Sequence, residues 1–104
     1  MQIQITADGN IDNNERLAAH IKGVVEGSLG RFSSRITRVE VHLADENGAK
    51  SGTHDKRCVM EARLAHHQPT AVTDHAATLD EAIVGAAEKL KRLVGSTLGR
   101  LHDT

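Results

Sequence analysis

The sequence predicts an α+β fold: a two-layer sandwich of order β-α-β-β-β-α, with a four-stranded sheet and two helices on one face. Three observations carry this expectation. Several segments alternate polar and apolar residues with period 2, the pattern of strands with one wet face. Two longer segments carry apolar residues three or four apart, the pattern of helices buried on one side. The chain has 104 residues, 38% of them hydrophobic, enough for one core and one domain spanning 1–104.

The opening "QIQIT" alternates, with Ile3 and Ile5 on one side, and reads as a short strand. "ADGNIDNN" interrupts it, and Asp12 or Asn13 can cap a helix beginning there. Leu17, Ile21, Val24, Val25, Leu29 and Phe32 then define a helix of roughly five turns. Gly23, Gly27 and Gly30 weaken it by up to about 1 kcal/mol each, so its stability must come from packing. In "ITRVEVHLA", Val39, Val41 and Leu43 point one way while Arg38, Glu40 and His42 point the other.

Residues 45–56, "DENGAKSGTHDK", form a long polar connection that is expected to be mobile. The next strand, "RCVMEARLA", turns Cys58, Met60, Ala62 and Leu64 inward and Arg57, Glu61 and Arg63 outward, with Val59 the apolar residue on the outer side. "HHQP" makes a turn and "TAVTDHA" a weaker strand carrying Val72. Thr78 with Glu81 three later is a capping box that opens the last helix. Its expected buried stripe is Leu79, Ile83, Ala86, Leu90, Leu93, Thr97 and Leu101. The first helix is long enough to cross between parallel strands, and the later strands pair as antiparallel hairpins.

Composition narrows the function classes. No basic and apolar leader opens the chain and no apolar run spans a bilayer, so a cytoplasmic protein without membrane contact is expected. The single cysteine agrees with a reducing compartment. Asp55, Lys56 and Arg57 precede it and can activate a thiol. The alternation nevertheless turns Cys58 to the apolar side, where free cysteine is commonly buried, so Cys58 is assigned to the core. The seven histidines, His66-His67 included, lack converging ligand spacing, and no metal or other cofactor is expected. Carboxylates are scattered: Asp80 and Glu81 suit a helix N-terminus, and Asp45-Glu46 a solvated loop. Neither a phosphate-binding loop nor a catalytic triad is present, so neither catalysis nor a small-molecule substrate is expected.

The net charge of −1 gives no global attraction to nucleic acid, so any such binding must be local. Without Trp or Tyr, and with Phe32 as the lone aromatic, the chain cannot stack single-stranded bases on a row of rings. RNA would be held through its backbone. "RFSSRITR" brings Arg31, Arg35 and Arg38 together with no acid among them, and "KLKR" supplies Lys89, Lys91 and Arg92, with Arg100 beyond them. Lys50, Lys56 and Arg57 rim the long loop. A solvated surface of mixed charge is the plainer account of the same residues.

Four segments, "MQIQIT", "RF..RIT.VEVHL", "DKRC..EARLA" and "LDEAI..AAEKLKR", make the chain resemble the ribosome hibernation-promoting factors. These are also known as ribosome-associated inhibitor A or ribosomal subunit-interface proteins. The resemblance covers nearly the whole chain and implies the same β-α-β-β-β-α fold. It implies binding to the small ribosomal subunit and its rRNA, in the channel used by mRNA and tRNA, with translation blocked in stressed or stationary cells. By position, Lys89 and Arg92 match the Lys and Arg of the last-helix motif, and Arg35 matches the Arg that opens strand two. Lys91, Arg31, Arg38, Lys22 and Arg100 complete the implied RNA-binding set.

The last helix lacks the lysine run usual in the family, and each absent phosphate contact removes part of the salt-dependent binding. A short form is expected, without the C-terminal domain through which long members pair ribosomes, acting as a monomer or weak dimer. The alternative is a family-fold module that binds a protein partner through its sheet face. An enzyme built on Cys58 ranks third.

Overall fold

The computed structural model describes residues 1–46 and 55–102. Its elements are β1 (Gln2–Ala7), α1 (Glu15–Leu29), a 3-10 turn (Gly30–Phe32), β2 (Ile36–Asp45), β3 (Lys56–Leu64), β4 (Thr70–Ala76) and α2 (Leu79–His102). The strands form one sheet in the order β1-β2-β3-β4. β1 runs parallel to β2 across the α1 crossover, while β2–β3 and β3–β4 are antiparallel. The predicted order and pairing directions are those found. Of the connection at 45–56, residues 47–54 lie outside the described residues, and with them Lys50 and His54.

The strands divide their side chains by period 2. Val39, Val41 and Leu43 of β2 and Cys58, Met60, Ala62 and Leu64 of β3 are all buried under the helices. β2 contains one irregularity, between Ile36 and Arg38, where Thr37 is the extra residue and its hydroxyl donates to the Arg63 carbonyl at 3.0 Å. The extra residue lets Ile36 and Val39 both face the core although they are three apart.

Ile21, Val25 and Leu29 give α1 its buried row. Its cap is Asn14 rather than Asp12 or Asn13, with the Asn14 side chain accepting from the Leu17 N–H at 2.9 Å. The chain leaves the α1 helix at Leu29, so Phe32 belongs to the adjoining 3-10 turn. In α2 the Thr78 hydroxyl caps as predicted, accepting from the Glu81 N–H at 3.1 Å, while the Glu81 carboxylate accepts from that hydroxyl at 2.9 Å rather than from the Thr78 N–H that a full capping box would use. The buried residues of α2 are Ala82, Ile83, Ala86, Ala87, Leu90 and Val94, with Leu79 and Leu98 packed beside them. This corrects the predicted stripe at Leu93 and Thr97; the Leu101 side chain lies outside the described residues. Leu93 and Thr97 are only half-buried, because a 3.6-residue period carries the core-facing line to Val94 and Leu98.

Two contacts fix how the helices lie. His20 of α1 pairs with Asp80 in the first turn of α2, and Phe32 lies against Gly95 farther along, 3.4 Å from where a Cβ would stand. The helices therefore run side by side in the same direction, both N-termini at one end of the molecule. Among the described residues, nothing packs on the opposite sheet face.

Candidate nucleic-acid interface

The parallel helices partly sort charge along the molecule, with Arg16 in the first turn of α1 and Glu26 in its last as exceptions. At their N-terminal end stand Glu15, Asp80 and Glu81, the acids that suit a helix start. Between Glu26 and Glu40 the chain has no acid and carries Arg31, Arg35 and Arg38. From Lys89 to His102 it again has none and carries Lys89, Lys91, Arg92 and Arg100. These stretches are far apart in sequence, and the contact of Phe32 with Gly95 brings them to the same end of the molecule. The Arg35 N–H donates to the Phe32 carbonyl at 2.8 Å, and the Arg35 carbonyl accepts from Ala65 at 3.0 Å, anchoring the backbone there. The turn bearing His66 and His67 thus joins this basic pole.

The expected RNA-binding residues do not all share it. Arg31, Arg35 and Arg92 are exposed at the pole, Lys91 is half-buried beside them, and none has an ion-pair partner among the described residues. The Arg31 guanidinium lies over the Phe32 ring, 5.0 Å from its centroid, which holds it in place while leaving its donors to solvent. Arg100 donates to the Ser96 hydroxyl at 2.9 Å. Lys22 is exposed midway along α1.

Two residues sit elsewhere. Arg38 is on the open sheet face, in a 3.1 Å pair with Glu40, which also holds Arg63 at 3.1 Å. That pairing was readable, since residues two apart on a strand share a face. Lys89 is at the β4 edge, where its ammonium meets the Asp74 carboxylate at 2.7 Å and the Thr73 carbonyl at 2.9 Å. Sequence reasoning missed Asp74. Its signal was that period 2 in "TAVTDHA" puts a carboxylate on the same side as Val72 and Ala76. Arg16, exposed in the first turn of α1, is a further cation outside the expected set.

Other candidate chemistry resolves as core or surface. Cys58 is fully buried, and burial first, then the nearby Asp74 charge, pushes its thiol up to about 12. Such a thiol is a poor nucleophile at neutral pH. Lys56 bridges Asp55 at 3.1 Å and Asp45 at 3.4 Å; the Asp55 hydrogen bond raises its pKa, burial opposes the rise, and Asp45 adds to it. Among the described residues no pocket opens and no three ligating side chains converge on a metal-sized point. No helix among them is long and apolar enough to cross a membrane.

A family model described as "Sigma 54 modulation protein / S30EA ribosomal protein" matches residues 3–102. No curated protein matches the chain. Among solved structures, the N-terminal domain of Protein Y from Thermus thermophilus superposes with a TM-score of 0.71 at 19% identity, covering 90% of this chain and 96% of that one. A ribosomal subunit interface protein from Coxiella burnetii superposes with a TM-score of 0.72 at 15% identity, covering 95% and 99%. At these identities the structures speak for the fold, and the family match over nearly every residue agrees with the resemblance read from the sequence. The chain belongs to the Sigma 54 modulation protein / S30EA ribosomal protein family of ribosome-associated factors.

Proposed function

We propose that the protein binds the small ribosomal subunit through phosphates of its rRNA. It thereby inhibits translation or preserves idle ribosomes under stress, as a non-enzymatic cytoplasmic factor occupying the mRNA and tRNA channel. Family membership supports the partner, and the basic pole supports the mode of contact. The observation that carries the reading is the convergence of two acid-free stretches, 27–39 and 89–102, at the Phe32–Gly95 contact. Arginines free of carboxylates suit phosphate oxygens, which they hold bidentately. Among the described residues the sheet face offers no comparable set, since Arg38 and Arg63 are already engaged by Glu40.

The test is binding to purified small subunits by sedimentation across a salt series. Affinity should fall as salt rises, because each neutralised phosphate releases counterions. Changing Arg35 and Arg92 together to Glu should flatten the log–log slope by roughly 1.8, two contacts' worth on the duplex scale. Uncharged bulk placed on the sheet face by Gln4→Trp with Ala71→Trp should leave binding unchanged. The reverse pattern would assign the function to a protein partner on the sheet face. No binding by the unmodified protein at low salt would end the ribosomal reading.

A further inference from the structure

Lys89 is a cation already spoken for. Its ammonium is 2.7 Å from the Asp74 Oδ1 and donates to the Thr73 carbonyl at 2.9 Å, so two acceptors of β4 hold it at the edge of the sheet. Asp74 is an unusual residue for its place. It lies on the helix-facing side of β4, paired in register with buried Cys58, and only 18% of its side chain is exposed. The carboxylate fits there because residue 85 of α2 is glycine: a Cβ at that position would stand 2.7 Å from the Asp74 Cγ and 3.3 Å from its Oδ1. Real Cβ atoms do not approach a carboxylate so closely, so any larger residue at 85 must displace Asp74. Gly85, Asp74 and Lys89 thus form one device. The glycine opens a slot, the carboxylate fills it, and the ammonium is drawn away from the outward row of α2 that holds Arg92.

We propose that Asp74 competes with RNA phosphate for Lys89, holding the helix surface one cation short until a phosphate displaces the carboxylate. This rests on the ribosome-binding reading above and adds to it an internal acceptor that lowers affinity. The Lys89 side chain is 45% exposed although Asp74 is only 18%, so an incoming phosphate can reach the ammonium without opening the core. The competitor is chemically matched, since a carboxylate and a phosphate oxygen offer the ammonium the same charge-assisted hydrogen bond.

Two variants release Lys89 by different routes. Asp74→Ser removes the acceptor, whereas Gly85→Ala evicts it sterically and leaves every charge in place. Acetylation of Lys89 by acetic anhydride in the free protein, read by mass spectrometry, reports the clamp without any ribosome. Both variants should speed it by about two- to fivefold, the range expected when a solvent-exposed lysine loses its ion-pair partner. Small-subunit binding should then tighten, and its salt slope steepen by up to roughly 0.9. Both gains should vanish when Lys89→Gln is added.

Unchanged acetylation in both variants would show that no clamp exists. Faster acetylation with unchanged binding would show that released Lys89 does not meet RNA. A gain that survives Lys89→Gln would reduce the effect to net charge. Each of these overturns the proposal while wild-type binding stands. If the unmodified protein fails to bind subunits, competition with RNA falls with the ribosomal function, and the acetylation rates show separately whether the clamp is real.

Discussion

Cys58 and Lys89 share residue types with reactive sites, and in both cases the face of an element decides what the side chain does. Asp55, Lys56 and Arg57 directly precede the cysteine, yet Arg57 lies on the opposite face and the thiol is enclosed by core. That outcome was legible, because strict alternation leaves one choice. A thiol reagent should therefore label Cys58 slowly in the native protein and readily after denaturation. The thiol also predicts a pH effect of definite sign. Its folded value of about 12 stands above the ordinary 9.0, so above pH 9 the unfolded chain loses a proton that the folded one keeps. Stability should fall from pH 9 toward 12 by up to about 1.4 kcal/mol per unit. Urea unfolding of wild type against Cys58→Ala should isolate this term as a difference in slope, and equal slopes would contradict it. Lys89 was not legible in the same way. Its partner Asp74 is brought to it by strand register and by a missing Cβ at Gly85, neither of which leaves a local trace at Lys89.

At the scale of elements, the strands and their inward faces were read correctly, while the far part of the α2 stripe and the cap of α1 were not. The inward sets of β2 and β3 were legible because a strand repeats every two residues and cannot drift. A helix repeats every 3.6, so a line drawn through Ile83, Ala86 and Leu90 can continue at Leu93 or at Val94, and both are apolar. Packing chose Val94, which is fully buried. Val94→Asp should cost several kcal/mol by burying an unpaired charge, while Leu93→Asp, at a half-buried position, should cost roughly 1–2 kcal/mol. Urea midpoints of the two variants decide between the lines, and equal losses would restore the first. The start of α1 shows the same limit. Asp12, Asn13 and Asn14 are all capable caps, and only the backbone geometry selects Asn14. Asn14→Ala and Thr78→Ala should each lower stability by about 1 kcal/mol, and Asn13→Ala by far less. Thermal unfolding of the three variants compares them directly.

The whole molecule has almost no net charge, so the proposed attraction to rRNA has to come from how charge is arranged. Helices that run in the same direction put Glu15, Asp80 and Glu81 at their shared N-terminal end, where they suit both helix dipoles, and most of the cations of α2 toward the other end, although Arg16 stands in the first turn of α1 and Glu26 in its last. The two ends of α1 are separated by about 22 Å at 1.5 Å per residue. The Debye length at physiological ionic strength is about 8 Å, so a polyanion docked at the basic pole is largely screened from the acidic one. Composition alone hid this, because a balance of −1 is the same for mixed and for sorted charge. The fold order was legible, but the sorting depends on Phe32 meeting Gly95 across sixty-odd residues of chain. A charge-neutral exchange tests it. Arg35→Glu combined with Glu15→Arg keeps the total at −1 while moving cationic charge from the basic pole to the acidic one. If the local field governs binding, the exchange should weaken small-subunit affinity as much as Arg35→Glu alone. If net charge governs, the second change should restore what the first removed. Glu15→Arg forfeits a favourable helix-dipole contact of roughly 0.3–1 kcal/mol, so unfolding midpoints are measured alongside binding. Full rescue in a folded double variant would refute the basic pole as the site of contact.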